Sequence, residues 1–266
     1  MTQRPNRTLS AWKRRRRAQR HALLAAAHER ALRADMEKVL KQIARSAAKL
    51  VGQGLNDQAI RLPDAYQSQL IRLFEGRLEA AAMASAQLVI DELTGEKAAG
   101  GLEKKFMSLF EIAQAAIRTW ITSYAAAKVT RILETTRMRI RKSIERGEEQ
   151  SEPPRVLARR IVEETGGEIA RGRAETIART ESLTAASVGS DEAAKATGLQ
   201  LDKVWMSAED MRTRPSHAAA EGQRVDMDAL FEVGGAKLRF PRDPNGPAKE
   251  VINCRCTVLY EPRLPK

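Results

Sequence analysis

A chain of 266 residues with 42% apolar side chains can bury a core without staples, and two cysteines are too few to hold it together by disulfides. Aromatics make up only 4% and alanine supplies much of the apolar count, a mix that suits helices and disfavours a β-sandwich. The net charge of +12 is unevenly placed, and no stretch of about 18 consecutive apolar residues occurs to span a membrane.

The first twenty residues hold eight basic side chains (Arg4, Arg7, Lys13, Arg14, Arg15, Arg16, Arg17 and Arg20) and no acid. Such a run is an electrostatic handle for phosphate backbones or an acidic surface, although it carries no base-reading pattern. A solvated tail that aids solubility explains the same residues. Residues 1–20 are expected to form a disordered arm, with Lys13, Arg14, Arg15, Arg16, Arg17 and Arg20 as candidate nucleic-acid contacts. The following "HALLAAAHER" is too short and too soon charged for a signal-peptide core, so a soluble, non-exported chain is expected.

A helical region is expected over 21–150. Breaks at "GQGLND" (52–57), "LPD" (62–64) and "TGEKAAGG" (94–101) divide it into three segments. In the third, Phe106, Phe110, Ala113, Ile117, Trp120 or Ile121, Tyr124, Lys128, Ile132 and Thr135 recur at three or four, as on an amphipathic helix. Arg131, Arg137, Arg139, Arg141 and Lys142 crowd its second half, where a solvated face near the negative end of the helix dipole accounts for them.

A C-terminal domain is expected over 151–266. Pro153 and Pro154 mark a helix start; "PPRVLARRIVEETGG" reads as a short helix closed by Gly166 and Gly167, and a longer helix follows, ending near Gly198. Beyond it the period changes. "LDKVWMS" (201–207), "LFEV", "KLRF" and "VINCRCTVLY" are β-prone, separated by loops rich in Gly, Pro and Asp. The fold class expected is α+β, a mostly helical N-terminal part followed by a small α+β domain with a short antiparallel sheet.

Polar residues gather in that domain, and five blocks stand out in order: "IARTE" (177–181), "VWMSAEDMRTRPSHAAAEGQRV" (204–225), "FEVGG" (231–235), "FPRDP" (240–244) and "INCRC" (252–256). Their succession resembles the C-terminal domain of the phage Mu F-like minor head proteins, the head morphogenesis family, over roughly residues 170–260. The resemblance implies a low-copy head protein of a tailed phage or prophage, assembled in the host cytoplasm and carried in the virion. The partners it implies are the portal protein, other head proteins and packaged double-stranded DNA, with no membrane and no small-molecule substrate. Some family members carry an added C-terminal toxin domain, which this chain is expected to lack.

On a strand, Cys254 and Cys256 would share one face, too far apart for a bridge that needs Cβ atoms about 4 Å apart. With His217 they would supply three ligands of a tetrahedral zinc site, Asp210 or water being the fourth; two buried thiols and a hydrogen-bonded histidine are the simpler explanation. Arg179, Glu181, Trp205, Arg212, Arg214, Asn253 and Arg255 read as a structural network, with Asp210, pinning the loop 208–217 to the terminal strand. An enzyme is not expected. A zinc hydrolase would need Glu209 or Glu221 as general base, and no His-Glu-x-x-His run, Gly-x-Ser-x-Gly elbow or phosphate-binding Gly loop is present.

Overall fold

The computed structural model describes residues 9–94 and 103–263, side chains of 103–107 excepted. Arg4, Arg7 and most of the break at 94–101 lie outside these residues. The fold is α+β, with long helices ahead of a small C-terminal region of short antiparallel sheets. In chain order the helices are α1 (Ala11–Gly52), α2 (Asn56–Arg61), a 3-10 stretch (Leu62–Tyr66), α3 (Gln67–Thr94), α4 (Glu103–Glu149), α5 (Pro154–Thr165) and α6 (Gly167–Ala196). Then come β1 (Leu201–Met206), α7 (Pro215–Ala219), β2 (Arg224–Asp226), β3 (Phe231–Val233), β4 (Ala236–Leu238), α8 (Ala248–Val251) and β5 (Thr257–Pro262).

The breaks act through their local chemistry. Gly54 takes φ +78°, and the Leu55 amide returns to the Leu50 carbonyl while Gly54 bonds Val51, so α1 ends in a Schellman motif. Pro154 opens α5 at a position where the missing N–H costs nothing, and Gly166 closes it. Helix α4 follows the expected stripe as far as Ile121 and again at Ile132. Between them and beyond, the buried face runs through Ala125, Val129, Leu133, Thr136, Ile140 and Ile144, not Tyr124, Lys128 and Thr135, so a small alanine takes the buried position beside the Tyr124 ring. Residues 11–20, expected as a disordered arm, are the first turns of α1.

The chain divides into two compact units, each taking parts of α1, α3, α4 and α6. One, Glu29–Arg77 with Trp120–Ala178, is built of helices around Leu32, Met36, Leu40, Ile43, Leu70, Phe74, Val129 and Ile161. The other, Met1–His28, Leu78–Thr119 and Arg179–Lys266, holds all the strands among the described residues. Here β1 is the central strand of an antiparallel sheet of order β2-β1-β5, with Trp205 opposite Val258 and Lys203 opposite Tyr260. Strands β3 and β4 form a separate hairpin turned by Gly234 and Gly235, at φ +58° and +76°.

Both faces of β1 are covered. Val204 and Met206 pack with Leu259 of β5, and Ala18 of α1 lies against them. On the other face Trp205 meets Phe231 and His217 edge-on, and Lys203, fully buried, donates to the Arg239 carbonyl at 2.9 Å. Two expectations need correction. The closing strand starts at Thr257, so Cys254 and Cys256 lie in the irregular segment before it; Asn253 at φ +59° breaks the extended run. Strand β2 was not expected, because "RVD" is short and largely exposed, and its register comes from its neighbour β1. No helix among the described residues is long and apolar enough to cross a membrane.

Candidate functional site

His217 sits on α7, a short helix opened by Pro215, which points its ring beneath Trp205. The segment after α8 brings Cys254 and Cys256 to the same ring. Nδ1 of His217 lies 3.3 Å from the Cys256 sulfur and 3.5 Å from that of Cys254, and all three ligand atoms fall within 4.8 Å of one another. The three residues are 1–3% exposed. On the far side of the ring, Nε2 is 3.0 Å from Glu250 Oε2, which also accepts from the Ser216 hydroxyl at 2.9 Å. The site thus has the donor set of a metal centre, with a carboxylate behind the histidine.

Arg242 completes the cluster from the opposite side. It is buried at φ +67°, donates to the carbonyls of Cys254 and Cys256 and to Ser187 Oγ, and lies 3.9 Å from the Cys254 sulfur. The two thiols are inequivalent. A hydrogen bond from Cys256 holds the Cys254 thiol well below its ordinary pKa, aided by His217 and Arg242, while the same bond and burial push Cys256 up. Burial in turn lowers the Arg242 pKa.

The remaining expected residues fall around this centre. Asp210 is not in the cluster. It accepts from Arg255 at 2.7 Å, from the Arg212 backbone amide at 2.9 Å and from Thr213, and these bonds outweigh burial to hold its pKa down. The Arg212 side chain is exposed. Arg214 donates to the Ile252 carbonyl at 2.6 Å, and the Asn253 amide donates to Thr180 on α6, between Arg179 and the buried Glu181. Glu221 accepts from Arg15 at 2.6 Å and from the Ser207 amide at 2.6 Å, and Glu209 also pairs with Arg15.

The basic run is equally committed. Arg14 makes a two-pronged pair with Glu261, at 2.6 and 3.1 Å. Arg17 and Arg20 reach Glu92, which also lies 3.3 Å from His21. Lys13 and Arg16 have no ion pair among the described residues, and Arg16 lies over the Trp12 ring at 5.3 Å. Together with Leu9, Arg17 and Arg20 they line an open groove. Sequence reasoning missed Glu250, Arg242 and Ser187. A signal existed only for Arg242, an arginine held between two prolines within one of the five blocks.

All five blocks converge here: Thr180 from the first, His217 from the second, the Gly234 turn from the third, Arg242 from the fourth and both cysteines from the fifth. Residues 134–259 match the family described as phage Mu protein F like protein. Over this segment, just under half of its length, the chain is similar to the Mu F-like family. The match begins well upstream of residue 170, within α4. Among curated proteins, the minor head protein GP7 of Bacillus phage SPP1 is 32% identical over 98 residues, 35% of this chain and 31% of that protein. NAD(+)--arginine ADP-ribosyltransferase EFV of Enterococcus faecalis is 39% identical over 106 residues, 39% of this chain and 21% of that protein. The uncharacterized protein YqbB of Bacillus subtilis is 30% identical over 92 residues, 33% of this chain and 30% of its own length. The chain therefore matches between about a fifth and a third of these relatives' lengths. No solved structure matches it.

Proposed function

We propose that the chain is a structural component of a tailed-phage head, acting in head morphogenesis and held at the portal. The observation that carries this reading is the Mu F-like match over 134–259, supported by the likeness to a phage minor head protein. The site is consistent with an assembly part more than with a reaction centre. Its histidine and thiols are closed to substrate, and both glutamates that could have served as general base are occupied by Arg15. The transferase activity named for the Enterococcus relative is not carried over, since the matched segment is 21% of that protein. Contact of the basic run with DNA falls to Lys13 and Arg16, because Arg14, Arg15, Arg17 and Arg20 are paired with carboxylates.

The test is purification of procapsids and mature heads from a lysate containing the chain. Low-copy co-sedimentation that depends on the portal protein is expected; absence of the chain from both particles would end this reading.

A further inference from the structure

We infer that His217, Cys254 and Cys256 bind a zinc ion that ties the segment before the last strand to helix α7, independently of the role in the head. Zinc takes thiolate at about 2.3 Å and imidazole at about 2.0–2.1 Å, so a tetrahedral centre sets N–S edges of about 3.6 Å. The two edges here are 3.3 and 3.5 Å, to the same nitrogen. The orientation of the ring is the second argument. With the Nε2 proton donated to Glu250, the Nδ1 lone pair faces both sulfurs, and a single lone pair can accept a hydrogen from only one thiol. A metal ion satisfies all three donors at once, and the Glu250–His217 pair is the carboxylate support found behind metal-bound histidines.

Charge balances as well. Two thiol protons leave to solvent as a dication enters, so the buried pocket gains no net charge. Arg242 holds the carbonyls of both cysteines and stands 3.9 Å from the Cys254 sulfur, fixing the thiolates where the ion needs them. Among the described residues no fourth protein ligand joins the group, so water completes the shell. Gly234 makes room for the supporting carboxylate, since a Cβ there would run into Glu250.

The full chain, expressed in zinc-supplemented medium and purified under reducing conditions without chelator, is expected to carry one zinc per chain by elemental mass spectrometry. Exchange with cobalt(II) is expected to give a thiolate-to-cobalt charge-transfer band. Glu250→Gln should retain the ion with affinity weaker by about 10–100-fold. The wild-type chain, stripped with a chelator, should lose thermal stability and regain it with zinc but not magnesium, a readout that does not depend on a variant folding. Substoichiometric metal after incubation with excess zinc, binding of copper(I) alone, full zinc retention in the Cys254→Ser, Cys256→Ser double variant, or a Cys254–Cys256 disulfide each overturns the inference.

Discussion

Arg242 shows how much of this domain rests on single polar residues. A guanidinium that is 2% exposed is costly unless its donors are used, and here Nη1 and Nη2 donate to two cysteine carbonyls and a serine hydroxyl while Nε is left without a partner among the described residues. Replacing it by leucine strands those carbonyls, at about 1–3 kcal/mol for each buried group left unpaired. Arg242→Leu is therefore expected to lower the stability measured by urea unfolding by at least about 2 kcal/mol, and a loss under about 0.5 kcal/mol would refute the assignment. At this scale the sequence revealed the chemistry better than the partners. Histidine and cysteine are conspicuous by type, so His217, Cys254 and Cys256 could be singled out. Glu250 could not be, because "AKEV" looks like any exposed helical turn, and only the fold-back of α8 buries it beside His217. Asp210 was assigned to the cluster on proximity in sequence, but Arg255 offers it a charged partner at the surface, where it keeps its hydration.

The first turns of α1 illustrate the scale of elements. Composition suggests an arm there, since four consecutive arginines look like a solvated tail. The outcome differs because the carboxylates that neutralise them lie far away in sequence, on β5, on α3 and in the loops on either side of α7. Helix boundaries, in contrast, were legible because Gly54, Pro154 and Gly166 act locally. The packing of Ala18 on Val204, Met206 and Leu259 makes these turns a lid on the sheet, and Arg14 with Arg224 supplies the charge that buried Glu261 requires. Burial alone would raise the Glu261 pKa; the bonds from Arg14 and Arg224 win and hold it below the ordinary range. A carboxylate with a depressed folded pKa gives stability that is fully present above its unfolded value, about 4.3, and lost as pH falls through the folded one. The stability gap between wild type and Glu261→Gln, followed by urea midpoints, should thus be widest near neutral pH and shrink as the pH drops below that unfolded value. A gap that does not change with pH contradicts the pairing. Arg14→Ala should cost about 1–3 kcal/mol at neutral pH, because it withdraws a charged two-pronged donor from a buried acceptor.

At the scale of the whole molecule, a net charge of +12 invites a DNA-binding reading, yet charge used internally cannot also release counterions from DNA. Each phosphate neutralised by a free cation contributes about −0.9 to the slope of log affinity against log salt, whereas an arginine already paired with glutamate contributes little without first giving up that partner. Within the helical part of the basic run, the pairs of Arg14, Arg15, Arg17 and Arg20 leave Lys13 and Arg16, flanked by exposed Trp12. Deleting residues 1–20 would remove both sets together, and would uncover the sheet as well, so it cannot separate a DNA contact from a structural one. Two double variants can. Lys13→Ala with Arg16→Ala should flatten the salt slope by about 2 while leaving the unfolding midpoint in place. Arg14→Ala with Arg15→Ala should do the reverse, lowering stability with little change in slope. Equal flattening by both variants, measured by fluorescence anisotropy on one duplex across a salt series, would show that the internal pairs open on DNA and that the entire run serves as the contact.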